Sequence, residues 1–154
     1  NPPLQHESDR PNVFVANNAA AYTAWFQTFD SHKAWMERFL EYFKHGKALA
    51  AQGAGKYKPM RMIWLSPHFV FSQAHDGTEY VTTRRVAEFD SYSRSLMADM
   101  GVPVVDATQV TRSRWEAAYD GLHYYSGGND NWHGVVSTMV SQIVLNTIFP
   151  TCGQ

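Results

Sequence analysis

The sequence predicts an α/β domain built as a three-layer, doubly wound parallel sheet. Short β-branched and aromatic runs alternate with longer amphipathic stretches along the chain. Its 154 residues fall within the size of one ordinary domain. Its composition, 44% hydrophobic and 18% charged, is that of a chain that buries a core. Strand, helix, strand, helix, strand, helix is the order that gives a parallel sheet, because each crossover must return the chain to the same sheet end.

Residues 1–11 hold Pro2, Pro3 and Pro11 with little apolar content, which predicts an extended leading arm before a domain over 12–154. Asn12-Val13-Phe14-Val15-Ala16 then reads as a buried strand that runs into a loop at Asn17-Asn18. From Ser31 to Gln52 the period becomes helical, with Trp35, Phe39, Leu40, Tyr42, Phe43 and Leu49 on the apolar side. Asp30 or Ser31 is the expected cap, and Gly53 and Gly55 end the helix.

Arg61-Met62-Ile63-Trp64-Leu65 is a second buried strand, stopped at Ser66-Pro67 because proline offers no N–H to a ladder. A long loop turns at Asp76-Gly77. Thr82 or Thr83 opens another amphipathic helix, whose stripe of Val86, Phe89, Tyr92, Leu96, Met97 and Met100 is terminated by Gly101. Val102-Pro103-Val104-Val105-Asp106 is the third strand. After a polar passage containing Trp115, Trp132 to Phe149 forms a last helix with a wide apolar face. Three strands make a thin parallel sheet, so the domain is expected to be incomplete at its N-terminal side.

Charge and composition exclude several classes of function. With 13 Lys+Arg against 14 Asp+Glu the formal charge is −1, too little field to hold a nucleic acid. The longest apolar runs, Met62 to Leu65 and Val102 to Val105, fall far short of the roughly 20 residues a membrane helix needs. The single cysteine, Cys152, excludes an internal disulfide and a cysteine metal site. His6, His32, His45, His68, His75, His123 and His133 contain no His-Glu-x-x-His pattern, so no metal is expected; His32 and His45 read as solvated helix-surface residues. No Gly-rich phosphate loop follows a strand, so no cofactor is expected and a flavodoxin-type cofactor domain is disfavoured. Arg84 and Arg85 read as surface ion-pair partners, and Trp25, Trp35 and Trp64 as core.

In open parallel sheets reactive groups collect beyond the carboxyl ends of the strands. Three loops qualify. The first offers Asn17 and Asn18, the second Ser66 and His68, and the third Tyr119-Asp120-Gly121-Leu122-His123-Tyr124. An Asp-x-x-His turn with glycine in second place can bring Asp120 against Nδ1 of His123, fixing the tautomer and leaving Nε2 to act as general base. Trp115 and Trp132 flank this loop and offer aromatic faces for a sugar ring. Ser31 reads as a helix-cap residue and Ser66 as a strand-end residue, neither as a nucleophile.

Asp120-Gly121-Leu122-His123 ahead of the last helix resembles the closing Asp-x-x-His block of the SGNH/GDSL hydrolases, whose fold is a flavodoxin-like doubly wound sheet. The longer Tyr-Asp-Gly-Leu-His-Tyr run is similar to branches that act on polysaccharide acyl groups. Val13-Phe14-Val15-Ala16-Asn17-Asn18 resembles the strand and loop that in the family read Gly-x-Asn-Asp, which places Asn18 on the oxyanion-hole asparagine; Ala16 and Ala19 stand where glycine and aspartate are usual. Ile63 to Pro67 and Val104 to Asp106 resemble the following strands. The family's Gly-Asp-Ser nucleophile block and its glycine block have no counterpart here.

The resemblance implies an esterase or acyltransferase acting on O-acyl, typically acetyl, groups of carbohydrate. Its serine would come from an N-terminal segment or companion chain, His123 would act as base, Asp120 as its orienter and Asn18 as donor to the oxyanion; Asn17, His68 and Trp115 are expected, from their loop positions alone, to line the oxyanion and substrate side of the same site. Cys152 would pair with that segment in an oxidising compartment, so a secreted or secretory-lumen protein is expected. The alternative is a structural or carbohydrate-binding module that keeps the scaffold without catalysis, which Ala16 and Ala19 favour.

Overall fold

The computed structural model describes residues 13–17, 20–51, 61–71, 80–118, 120–124 and 134–149. The expected arm over 1–11, Asn18, Ala19, Gly53, Gly55, the Asp76-Gly77 turn, Trp132 and Cys152 lie outside these residues, as do His6, His75 and His133. Among the described residues the order is β1 (Val13–Ala16), α1 (Ala20–Phe26), α2 (Phe29–Ala51), β2 (Arg61–Leu65), α3 (Thr83–Asp99), β3 (Val104–Val105), α4 (Ala107–Arg112), a 3-10 turn at Trp115–Ala117, and α5 (Val135–Ile148). The three strands form one parallel sheet in the order β1-β2-β3. Val13 pairs with Arg61, Ala16 with Trp64, and Trp64 in turn with Val104. The chain is therefore of mixed helix and parallel-strand class.

β2 lies between the other two strands, and side chains on both its faces are buried: Met62 and Trp64 on one, Ile63 on the other. Met62 and Trp64 pack with Met36 and Leu40 of α2, Met97 of α3, Val102 and Ala16. A second cluster joins Ala24 of α1 to Val70, Val81, Val86 and Phe89. α5 lies beside α4 and β3 and buries Val136 and Val140, the first of them with Ala118 and Tyr124. No helix among the described residues is long and apolar enough to cross a membrane.

β1 departs from the expected buried strand. It has a neighbour on one side in this sheet, and Phe14 and Val15 are 39% and 40% exposed; only Ala16 of the strand is buried. β3 is shorter than expected because Pro103 has no N–H and because Val102 ends the preceding helix. α3 closes with Gly101 in the left-handed region at φ 65°, Gly101 N–H donating to Ala98 O and Val102 N–H to Met97 O, both at 2.9 Å. This is the Schellman arrangement, with Val102 and Met97 meeting in the core. Thr82 opens the same helix by accepting from Arg85 N–H at 3.1 Å.

The cap of α2 is Thr28, whose hydroxyl accepts from Ser31 N–H at 3.2 Å, rather than Asp30 or Ser31. The helix buries His32, Met36 and Leu40 at four-residue spacing and leaves Trp35 and Tyr42 exposed. His32 is thus a core residue and not a surface one. Its Nε2 lies 3.0 Å from the Ser93 hydroxyl, which itself donates to Phe89 O, and its ring packs on Phe89. Burial lowers its pKa, partly offset by the Phe89 carbonyl. Trp25 and Trp35 are likewise not core: both are more than two-fifths exposed, and they stack on Phe26 and Phe39. Trp64 is the core tryptophan among the described ones.

Two helices were not expected. α1 has its last carbonyls satisfied from a distance: Arg85 Nε donates to Ala24 O at 2.9 Å and Arg85 Nη2 to Gln27 O at 2.7 Å, with the guanidinium over the Phe89 ring. Arg85 is a helix clamp and not a surface ion-pair partner, while Arg84 is exposed. α4 starts at once after β3 because Asp106 caps it, Oδ1 accepting from Gln109 N–H at 2.9 Å.

Asp106 is held in that position by Arg94 of α3. Arg94 Nη1 and Nη2 reach the two Asp106 oxygens at 2.7 and 2.5 Å, and Nε reaches Asp90 Oδ2 at 2.7 Å. Burial pushes the Asp90 carboxyl above its ordinary range although Arg94 opposes it, whereas the hydrogen bonds from Arg94 pull Asp106 below. Arg94→Leu would leave Asp90 buried without a cation and is expected to lower unfolding free energy by about 3 kcal/mol in urea titration, with Asp90→Asn in the same background restoring part of it. Gly101→Ala is expected to cost about 1 kcal/mol in the same assay, wholly from the left-handed backbone, since an added Cβ meets no atom within 4 Å.

Candidate functional site

The parallel strands end together, and a buried polar seam ties their carboxyl ends. Ser66, fully buried, accepts from Thr108 N–H at 3.0 Å and lies 3.2 Å from the Thr108 hydroxyl and 3.5 Å from Asp106 Oδ1. It is a joint between β2 and α4, as its strand-end position implies, and its hydroxyl is closed off from substrate. The Thr108 hydroxyl donates to Pro67 O at 2.7 Å, and Thr111 accepts from Phe69 N–H at 2.7 Å. The segment leaving β2 is thereby fastened to α4.

The dyad loop is fastened to the same segment. Phe71 N–H donates to Gly121 O at 2.9 Å and the Tyr124 hydroxyl to Phe69 O at 2.9 Å. Gly121 takes a left-handed φ of 78° and donates to Ala118 O. Leu122 packs into the Phe89 cluster, and Tyr124 is buried with Ala118 and Val136. Ser137 of α5 donates to Tyr124 O at 3.0 Å. His123 thus stands between two anchored neighbours, its own side chain 40% exposed.

Asp120 shapes the turn with both oxygens. Oδ1 accepts from Leu122 N–H at 2.9 Å and His123 N–H at 2.8 Å, the self-closing turn that aspartate favours. Oδ2 lies 2.6 Å from His123 Nδ1. Partial burial by itself would raise the Asp120 pKa, but the His123 ring and the two backbone N–H groups outweigh it and hold the carboxyl at about 2. An ionised carboxylate only accepts, so the proton of this bond belongs to Nδ1, and Nε2 is the basic nitrogen of the neutral ring. The pair has the geometry of an oriented general base.

The other expected site residues distribute as follows. His68 follows Pro67 at the end of β2, its ring edge-on to Tyr124 with centroids 5.4 Å apart. Burial lowers its pKa, and the charge of His123 lowers it further. Trp115, 49% exposed, sits on the 3-10 turn with its ring 4.8 Å from Phe71, whose backbone holds Gly121. Asn17, at the end of β1, donates its amide to Leu65 O at 2.8 Å and so bridges the first two strand ends. Asn18 lies outside the described residues. Among the described residues no group of three or more His, Cys, Asp or Glu side chains could hold a metal ion.

Sequence reasoning missed the seam beneath the site. Its signals were Asp90 and Arg94 one helical turn apart, and an aspartate directly after a strand with room for a capped helix. Comparison with family models, curated proteins and solved structures finds no match for this chain.

The dyad has an acid signature. Asp120 titrates at about 2 in the folded chain, below the roughly 3.9 of an unfolded aspartate, so its stabilisation is complete above about pH 4 and is lost as pH falls towards 2. Unfolding free energies from urea titrations across that window should fall more steeply for the unaltered chain than for Asp120→Asn.

Proposed function

We propose that this chain is the base-bearing part of a serine esterase or acyltransferase acting on O-acyl groups of carbohydrate, on a doubly wound scaffold resembling that of the SGNH/GDSL hydrolases. The observation that carries the reading is the 2.6 Å contact between Asp120 Oδ2 and His123 Nδ1, at the carboxyl end of a parallel sheet, with the carboxylate locked by two backbone N–H groups. Burial on both faces of β2 supports the layering, and the lack of access to Ser66 fits a serine supplied by another segment.

In this reading a serine hydroxyl from an N-terminal segment or companion chain attacks the ester carbonyl while His123 Nε2 takes its proton. The carbonyl π electrons move to oxygen, and Asn18 is the assigned donor to that oxyanion. Collapse breaks the bond to the sugar oxygen, which leaves with the proton from His123. Water or an acceptor hydroxyl then releases the acyl group by the reverse sequence. Asp120 keeps the ring in the required tautomer and stabilises the imidazolium between the two transfers. Trp115, exposed beside the loop, offers a face for a sugar ring. Pairing of Cys152 with the serine segment would place the protein in the secretory lumen or outside the cell.

In the protein together with its serine segment, His123→Ala should abolish hydrolysis of an aryl acetate, and Asp120→Asn should reduce kcat on the order of 10⁴-fold. A fluorophosphonate probe should label the serine segment, and His123→Ala should remove the label. Aryl acetate turnover that survives His123→Ala contradicts the reading, and a protein with no labelled serine is instead the non-catalytic scaffold.

A further inference from the structure

His68 is placed with more care than a pocket wall requires. Every residue around it is tied: Ser66 and Pro67 to Thr108, Phe69 to Thr111 and Tyr124, Val70 O to the Thr83 hydroxyl at 2.6 Å, and Phe71 to Gly121. The short span between the end of β2 and Phe71 therefore has one course, and its imidazole is half-buried against the Tyr124 ring, the residue next to His123. Among the described residues neither ring nitrogen of His68 is hydrogen-bonded, although both belong to a ring held beside the dyad. Neither nitrogen is among the sealed polar atoms that lack a partner, so each is open from outside, and an immobilised imidazole open beside the dyad can bond a ligand held there.

The surrounding charges define what kind of contact it makes. The charge that acts on His68 is that of His123; the Tyr124 ring meets its imidazole while the Tyr124 hydroxyl is engaged by Phe69 O, Glu116 acts on Tyr124, and Arg112 lies over the ring of the adjacent Phe69. Burial and the positive charge that His123 acquires both disfavour an imidazolium at His68. A neutral imidazole still carries one N–H donor and one acceptor nitrogen. It can therefore hold a substrate oxygen without competing for the proton that His123 must carry.

Resting on the dyad reading above, we infer that His68 is a catalytic residue of the same site, a neutral imidazole whose N–H donates to an oxygen of the ester bound at His123. The donor is pre-positioned by the loop ties, so it strengthens with the charge that develops on oxygen at no cost in reorganisation.

Two substitutions separate donor from filler: His68→Gln keeps an N–H and loses the ring, and His68→Phe keeps the ring against Tyr124 and loses the donor. In the protein with its serine segment, with urea midpoints confirming the fold, His68→Phe should lower kcat/KM for p-nitrophenyl acetate on the order of 10²-fold, and His68→Gln by less than tenfold. Equal loss in both variants, or no loss in His68→Phe, overturns the assignment. A second measurement needs no turnover: in this chain the NMR titration midpoint of His68 should rise in His123→Gln, and an unchanged midpoint would place the two rings out of reach of each other. If His123→Ala abolishes turnover while His68→Phe does not, the inference about His68 fails and the dyad stands; if His123→Ala is active, the dyad reading itself fails.

Discussion

The guanidinium of Arg94 is the interaction on which the arrangement depends. It joins one carboxylate within α3 to another at the start of α4: the first would be costly in its buried position without it, and the second would lose the contact that orients it. Asp90 is nearly buried and needs a cation. Asp106 must face back towards α3 while its Oδ1 also caps α4. Once α4 is fixed, the hydroxyls of Thr108 and Thr111 are fixed, and with them the backbone at Pro67 and Phe69. The course of the loop that carries His68 follows from an ion pair made where β3 ends and α4 begins.

The Asp120 turn combines a local and a distant constraint. Its closure is local, since one carboxylate gathers two backbone N–H groups and a ring nitrogen within four residues. Its orientation is not. Leu122 and Tyr124 enter two different core clusters, and Phe71 binds Gly121 across the gap to β2. A loop anchored on both sides of His123 cannot swing the ring away from the strand ends. That is the preorganisation the proposed proton transfers require, because a base that must first be ordered loses much of its advantage.

What was legible in the sequence is what depends on near neighbours. The Asp-x-x-His turn, the Gly101 terminator, the Thr82 cap and the three strand positions all involve contacts within about one helical turn, or a period of two or four. What escaped depends on partners far along the chain. α1 is held by Arg85, whose side chain reaches the helix from α3. The buried face of α2 is set by Phe89 and Ser93 across the interface, so His32 turned inward and Trp35 outward although residue type suggested the reverse. The exposure of Phe14 and Val15 follows from the place of β1 at one side of the sheet, which no local pattern encodes.

The central claim is that Asp120 fixes His123 as a base with its proton on Nδ1. A nitrogen-15 NMR correlation spectrum of the His123 ring in mildly alkaline solution tests it most directly. The account predicts a bound proton on Nδ1, slowed in exchange by the Asp120 contact, and a bare Nε2, with the preference lost in Asp120→Ala. A proton resident on Nε2 with Nδ1 bare, or a tautomer unaffected by removing Asp120, would contradict it.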